Sequence, residues 1–235
     1  MKQFDDLEEM MLQANYVEKI RIGATNTVGS CILSHVIKSF REINPEIETY
    51  SYVNNTELIE EKLLNSELDI GIVEGRVKSP DLIAIPEIND SLILACSTKH
   101  PFAKKKTVKL EELSNESFAM REEGSGTREL FERYMLENEI PIRIAFEGNS
   151  SSSIKKAVME NQYLAVISLR LEEEEIKNGQ IHVIRNTESD WDIYFSVVYH
   201  KNKVVSDEMK SLIEVLKNYK NVDILQGIST GKLVT

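Results

Sequence analysis

Short apolar segments that fit β-strands alternate with amphipathic segments that fit helices in the first part of this chain. Apolar runs at residues 19–23, 47–53 and 68–73 are separated by segments with helical spacing at 31–40 and 56–65. Successive strands that are joined through helices pair in parallel, with right-handed crossovers. The pattern therefore predicts an α/β fold built on a mostly parallel sheet.

The alternation is interrupted and then restarts in the second part of the chain. Two apolar runs, 82–85 and 91–96, come first, and the new series begins after residue 102. A chain of 235 residues can form one large domain or two small ones. The remaining predicted strands are 117–120, 143–147, 163–167, 181–184 and 193–199, and the remaining predicted helices are 125–138, 151–160, 168–178 and 206–219.

The charge distribution argues against a nucleic-acid-binding surface. The formal net charge is −11, and acidic residues are spread along the whole chain. A nucleic-acid surface needs clustered Lys and Arg side chains. The acidic N-terminus shows no apolar segment typical of a signal peptide, and no apolar run is long enough to cross a bilayer. We expect a cytoplasmic protein without membrane contact.

A glycine-containing loop, Arg121–Arg128, leads directly into a predicted amphipathic helix. It carries hydroxyls at Ser125 and Thr127 and has no side chain at Gly124 or Gly126. The unpaired N–H groups of a first helical turn, together with the helix dipole, attract anions. The loop thus predicts a site for a small anion, and an ordinary capped helix is the alternative.

Two other predicted strand ends have the same chemical character. Thr25, Asn26 and Thr27 follow the first strand, and a segment from Gly148 to Ser153 follows the strand at 143–147. Ligands in open α/β sheets bind beyond the carboxyl ends of the strands. Three polar junctions of this kind favour a binding site, although simple capping by one serine remains an alternative for the third.

No catalytic or metal-binding pattern is present, so we expect neither an enzyme nor a cofactor. Histidines occur without metal-ligand spacing. The acidic run Glu172–Glu175 is typical of a solvated helix face. Arg121 and Arg128 are better candidates for function because a guanidinium binds a carboxylate through two hydrogen bonds. For Arg128 the alternative is an ion pair on its own helix.

The two cysteines do not indicate a disulfide framework. Cys96 lies in an apolar run and Cys31 at the start of a helix. Both are interpreted as reduced packing residues, with a redox switch as the alternative.

Five segments in this order resemble the effector-binding domain of LysR-type transcriptional regulators. They are residues 20–27, 68–74, 92–102, 121–128 and 165–168. The resemblance implies a type 2 periplasmic-binding-protein fold, with two Rossmann-like subdomains and two crossover strands around a ligand cleft. The implied boundaries are 19–97 with 200–222 for subdomain I, 98–199 for subdomain II and 223–235 for a C-terminal tail, with crossings near Ser97 and Tyr199.

The resemblance also implies a ligand, a set of binding residues and a partner. The ligand is a small anionic or carboxylate-bearing effector, and the implied partner is a second copy of the chain, packed through the Cys31–Phe40 helix. The implied ligand-binding residues are Thr25, Asn26, Thr27, Ser97, Arg121, Ser125, Gly126, Thr127, Ser151 and Ser168.

The chain departs from the family pattern at its N-terminus. Residues 1–18 are too few for a winged helix-turn-helix and are interpreted as the end of a linker helix, in either a shortened form of a longer protein or a natural stand-alone sensor. DNA binding is accordingly expected only through a helix-turn-helix domain that this sequence lacks. A solute-binding protein for transport, with the same fold, is the alternative function; an enzyme on this fold is a third.

Overall fold

The computed structural model describes residues 19–186, 191–219 and 224–235, so the helix expected at 1–18 lies outside the described residues. The strands are β1 (Lys19–Thr25), β2 (Glu48–Asn54), β3 (Ile70–Glu74), β4 (Leu82–Ser97), β5 (Thr107–Lys109), β6 (Ser117–Arg121), β7 (Arg143–Gly148), β8 (Ala165–Ser168), β9 (Ile181–Asn186), β10 (Asp192–His200) and β11 (Gly231–Val234). The main helices are α1 (Ser34–Ile43), α2 (Thr56–Leu64), α3 (Gly126–Glu137), α4 (Ser151–Asn161), α5 (Glu173–Lys177) and α6 (Asp207–Lys217).

Short helical turns connect several of these elements. An α-helical turn (Asn26–Val28) and a π-helical turn (Gly29–Leu33) lead from β1 into α1. The 3₁₀-helices span Pro101–Lys104, Leu110–Asn115 and Leu169–Glu172.

Most strands form one large sheet, as the alternating pattern predicts. Its order is β2-β1-β3-β10-β4-β9-β11-β5, and β8 pairs with β4 beside this path. β1 pairs in parallel with both β2 and β3. Helix α1 connects β1 to β2 and helix α2 connects β2 to β3, as parallel pairing requires. β6 and β7 form a separate parallel pair. The mixed α/β class is therefore confirmed.

The long strand β4 belongs to both halves of the sheet. Residues Leu82 to Ser91 pair with β10, whereas Leu92 to Ser97 pair with β8 and β9. The change of partner comes before the crossing expected near Ser97. β10 pairs with β4 over its whole length and with β3 from Phe195 to Val198. The subdomain boundaries at 97 and 200 remain a prediction.

Separate apolar cores lie on either side of this change of partner. In the first half, helix α1 buries Val36 and Phe40 against β1 and β3, and α6 buries Leu212 in the same cluster. In the second half, Phe118 and Phe131 pack together in another cluster. These separate cores define two lobes. The first lobe holds β1–β3, α1, α2 and α6, and the second lobe holds β6–β9, α3 and α4.

The structure corrects three details of the sequence interpretation. The runs 82–85 and 91–96 are parts of the single strand β4. The predicted helix 168–178 is a 3₁₀-helix followed by α5, and Glu172 in it is fully buried rather than solvated. The predicted tail contains β11, which pairs in parallel with β5 and β9.

Both cysteines are free thiols, and Cys96 is buried. Burial raises the pKa of each thiol to about 12, which keeps it protonated and poorly nucleophilic. Across the described ranges, no helix is long and apolar enough to cross a membrane. Within the same ranges, no group of three or more His, Cys, Asp or Glu side chains is arranged to hold a metal ion.

Candidate ligand-binding site

The carboxylate of Glu74 joins residues of the two lobes. Glu74 is the last residue of β3, next to the end of β1, and is only 2% exposed. Its Oε1 accepts hydrogen bonds from Thr27 Oγ1 at 2.6 Å and from Thr127 Oγ1 at 3.2 Å. Thr27 lies in the first helical turn after β1, and Thr127 in the first turn of α3. Hydroxyls at the starts of two helices thus converge on one negatively charged group.

The backbone of Glu74 is also held by threonines. Its N–H donates to Thr25 Oγ1 at 3.4 Å, and its carbonyl oxygen accepts from Thr56 Oγ1 at 3.4 Å. These contacts fix the end of β3 against β1 and the start of α2, because the hydroxyls are buried with it.

The lobes approach closely at Gly126. A Cβ atom at this position would lie 2.8 Å from the Glu74 carbonyl oxygen and 3.5 Å from Gly75 Cα. Such a distance to a backbone atom is shorter than real Cβ contacts, so only glycine allows α3 to begin here. Close by, Asn55 Nδ2 donates to the Glu123 carbonyl oxygen at 3.2 Å, so the start of α2 also contacts the loop before α3.

Arg121 does not present a free guanidinium. Its Nε and Nη2 donate to the Glu122 carboxylate at 2.8 and 3.0 Å. The Glu122 Oε1 atom also accepts from Asn26 Nδ2 across the two lobes, at 3.1 Å. Arg121 is 5% exposed and its charge still lowers the pKa of Glu74. A ligand would therefore meet Arg121 as half of an ion pair.

Arg128 forms an ion pair on its own helix, which is the alternative given for it in the sequence analysis. Its guanidinium pairs with Glu132 on its own helix at 2.7 Å and with Glu147 at 2.8 Å. It also donates to the Arg121 carbonyl oxygen at 3.0 Å. Arg128 thus stabilises the loop before α3.

Ser125 leaves a buried hydroxyl available. It is the N-cap residue of α3, but its side chain makes no capping bond, and its Oγ has no hydrogen-bond partner in the described part of the chain. A buried polar group without a partner is costly unless a ligand or water completes it. Together with Gly126 and Thr127, Ser125 therefore lies where the sequence predicts an anion.

The other predicted residues lie in different local settings. Ser168 donates to Asp90 and accepts from the Arg170 N–H. Ser97 ends β4 and accepts from the Lys99 N–H at 3.3 Å. Ser151 begins α4 and is half-buried. These contacts do not link the three serines to the Thr27–Glu74–Thr127 cluster, whereas they do place Ser168 beside a second buried carboxyl group.

The two buried carboxyl groups are both shifted toward the neutral form. Burial raises the pKa of Glu74, with a smaller contribution from the Asp90 charge, against hydrogen bonds from Thr27 and Thr127. Burial likewise raises the pKa of Asp90 to about 6. Sequence reasoning missed both as site residues. The signal for Glu74 was its position directly after the predicted strand 68–73, at the carboxyl edge beside β1.

Two α/β lobes that share a long strand, with polar helix starts meeting between them, define a periplasmic-binding-protein-like fold. The regulatory domain of CcmR from Synechocystis PCC6803, in complex with 2-PG, superimposes with a TM-score of 0.78 at 24% identity, over 85% of this chain and 96% of that one. The effector binding domain of QuiR in complex with shikimate gives a TM-score of 0.75 at 19% identity, over 87% and 97%. These similarities establish the fold.

The sequence comparison establishes the family. The family model of the LysR substrate binding domain matches residues 14–220. The chain therefore belongs to the LysR substrate binding domain family.

Curated relatives are transcriptional regulators. The HTH-type transcriptional regulator CysL of Bacillus subtilis is 28% identical over 177 residues, which cover 75% of this chain and 59% of the relative. The HTH-type transcriptional activator CmpR of Synechocystis is 28% identical over 214 residues, 90% of this chain and 70% of the relative. The chain thus spans about three fifths of the length of CysL.

Proposed function

We propose that this domain senses a small anionic metabolite between its two lobes and transmits the binding event to the packing of a dimer. The family membership and the regulatory relatives support this function over solute transport or catalysis. In a longer regulator, a helix-turn-helix domain would supply DNA binding. A cytoplasmic location is part of the same proposal.

One observation carries the proposal of an anion site: hydroxyls from both lobes already bind a carboxylate. Thr27 and Thr127 converge on Glu74 Oε1, with the start of α3 beside them. Charge-assisted hydrogen bonds of this kind, added to the helix dipole, select negatively charged groups. The proposed ligand-binding residues remain Thr25, Asn26, Thr27, Ser97, Arg121, Ser125, Gly126, Thr127, Ser151 and Ser168, now joined by Glu74.

Two of the similar solved structures contain a bound ligand, and these ligands suggest compounds to test. The QuiR domain is in complex with shikimate, a carboxylate that also bears hydroxyl groups, and the CcmR domain with 2-PG. We therefore propose a titration of this protein with inorganic phosphate, sulfate, glycolate, acetate, shikimate and 2-PG at constant ionic strength. Binding of none of them would contradict the proposed anion site.

The substitution Thr127→Val should reduce the affinity for the most tightly bound of these anions about tenfold to a hundredfold. The side chain keeps its shape but loses the hydroxyl, and a charge-assisted hydrogen bond contributes about 1.5–3 kcal/mol. Isothermal titration calorimetry measures the change. Thr107→Val, in the exposed position of β5, is the matched control and should bind normally. Equal affinity in both variants would place the ligand elsewhere.

The proposed dimer uses the Cys31–Phe40 segment, which runs from the π-helical turn into α1, and the following strand β2. β2 is an end strand of the sheet and leaves Tyr50 and Val53 nearly half exposed. Ile43, at the end of α1, is 63% exposed and lines a groove of about 620 Å³ between α1 and α6. An unpaired strand edge beside exposed apolar side chains favours pairing with a second copy.

Ile43→Glu should weaken self-association at least tenfold, because it would bury a charge in the apolar contact. Sedimentation equilibrium measures the dissociation constant. Leu136→Glu is the matched control, since Leu136 is 78% exposed on α3 in the other lobe. A native protein that stays monomeric, or equal association of both variants, would contradict this interface.

A further inference from the structure

We propose that Glu74 makes the site selective for anions that carry a hydrogen-bond donor beside the negative charge, such as an oxyanion that retains a proton or an α-hydroxy carboxylate. The inference rests on the proposed function, because it specifies the ligand class of the same site. It assigns Glu74 as the residue that determines specificity.

The first step is the hydrogen bonding of the Glu74 carboxylate. Oε1 is occupied by the Thr27 and Thr127 hydroxyls, whereas Oε2 is buried and has no hydrogen-bond partner among the residues that the structure describes. A buried carboxylate oxygen without a donor is unfavourable by the desolvation cost of the group. The site therefore contains an unsatisfied acceptor.

The second step is that the nearby donors are already engaged. Thr27 and Thr127 donate to Oε1, and both Asn26 and Arg121 donate to Glu122. A donor for Oε2 can come from a ligand without breaking any of these bonds.

The third step is the unsatisfied hydroxyl of Ser125, two residues before Thr127. Ser125 Oγ is buried and unpartnered at the start of α3, the twelve-residue helix whose first turn carries Thr127. A ligand anion can accept from Ser125 and from the helix start, while its own O–H donates to Glu74. An adjacent anion and donor match both unsatisfied groups at once.

The consequence is that the site distinguishes anions that carry an O–H group from anions that carry none. Hydrogen phosphate and glycolate carry an O–H, whereas sulfate and acetate at neutral pH carry none and would place lone pairs against Oε2. Sites built around a buried hydrogen-bonding group reject ligands that leave it unpaired by large factors. The raised pKa of Glu74 offers the competing route, in which Glu74 takes up a proton and itself donates to a fully ionised ligand.

The test compares donor-bearing and donor-free anions by isothermal titration calorimetry at pH 7. Native protein should bind phosphate at least tenfold more tightly than sulfate, and glycolate at least tenfold more tightly than acetate. Glu74→Gln replaces Oε2 or its equivalent with an amide donor and should reduce both ratios at least tenfold. Glu123→Gln removes the same charge from an 89% exposed side chain in the adjacent loop and should leave both ratios unchanged.

Several outcomes overturn the inference. Equal binding of sulfate and phosphate by the native protein would do so, and so would ratios that Glu74→Gln leaves intact. Titrations in two buffers of different ionisation enthalpy measure proton uptake without any variant, and uptake of about one proton with sulfate would assign the donor role to Glu74 instead. Binding of no anion by either protein would contradict the proposed function itself, so the two failures are distinguishable.

Discussion

Glutamine in place of Glu172 should abolish a large loss of stability that the native protein undergoes between pH 5 and pH 8. Glu172 is 0% exposed, and both of its carboxylate oxygens are buried without hydrogen-bond partners within 19–186, 191–219 and 224–235. Burial raises its pKa to about 8, although Lys155 opposes the shift and Glu175 adds to it. In the unfolded chain the same carboxyl group titrates near its ordinary pKa of 4.5.

The direction of the effect follows from the proton count. Between these two pKa values the folded protein keeps the proton that the unfolded chain releases, so the free energy of unfolding falls as the pH rises. One pH unit corresponds to about 1.4 kcal/mol, so the group alone removes about 3–4 kcal/mol from pH 5 to pH 8. The glutamine variant does not titrate and should lack this component.

Urea denaturation at pH 5, 6.5 and 8 measures the difference between the two proteins. Asp90 and His182 also have shifted pKa values, but they are common to both proteins and cancel in the comparison. Glu173→Gln, at a partly exposed residue paired with Lys177, is the control and should keep the native slope. Parallel curves for native protein and Glu172→Gln would contradict the assignment.

A valine at position 126 should reduce ligand affinity more than a hundredfold while the lobes stay folded. Its Cβ would meet the Glu74 carbonyl oxygen at 2.8 Å and Thr56 Oγ1 at 3.4 Å, so α3 would have to move away from β3. That movement would separate Thr127 from Glu74 and leave the ligand in contact with one lobe. A loss of more than about 2.7 kcal/mol corresponds to the expected change.

Calorimetric titration with the tightest anion of the native panel, beside thermal unfolding, measures both parts of this prediction. Gly126→Ala should give an intermediate loss because it adds only the Cβ atom. Ser152→Val introduces the same side chain into the exposed first turn of α4 and controls for helix propensity. Native affinity in Gly126→Val would show that this contact between the lobes is not needed for binding.

Local sequence patterns were sufficient for the parts of the fold that depend on neighbouring residues. Apolar runs predicted β1 and β3, and apolar residues at helical spacing predicted α1, since these signals need only neighbouring residues. β11 was missed because four residues carry little periodicity and its partners, β5 and β9, lie far away in the chain. Glu172 was missed because the acidic run looks solvated, whereas tertiary packing buries its first residue.

The site shows the same division between local and distant information. Helix starts with hydroxyls pointed to Thr27 and Thr127, and to a negatively charged ligand, from local rules alone. Their convergence on Glu74 depends on contacts that span 47 and 53 positions in the sequence. Arg121 was expected to face a ligand, yet its adjacent residue Glu122 pairs with its guanidinium. The site residues as a set remain a prediction.

The hydrogen bonds from Thr27 and Thr127 hold the Glu74 carboxylate in place before any effector arrives. An effector that donates to Oε2 therefore uses little of its binding free energy on ordering that group, so preorganisation raises its apparent affinity. The strength of these two resting bonds sets the metabolite concentration at which the sensor responds, and a substitution that removes either hydroxyl would shift that threshold upward.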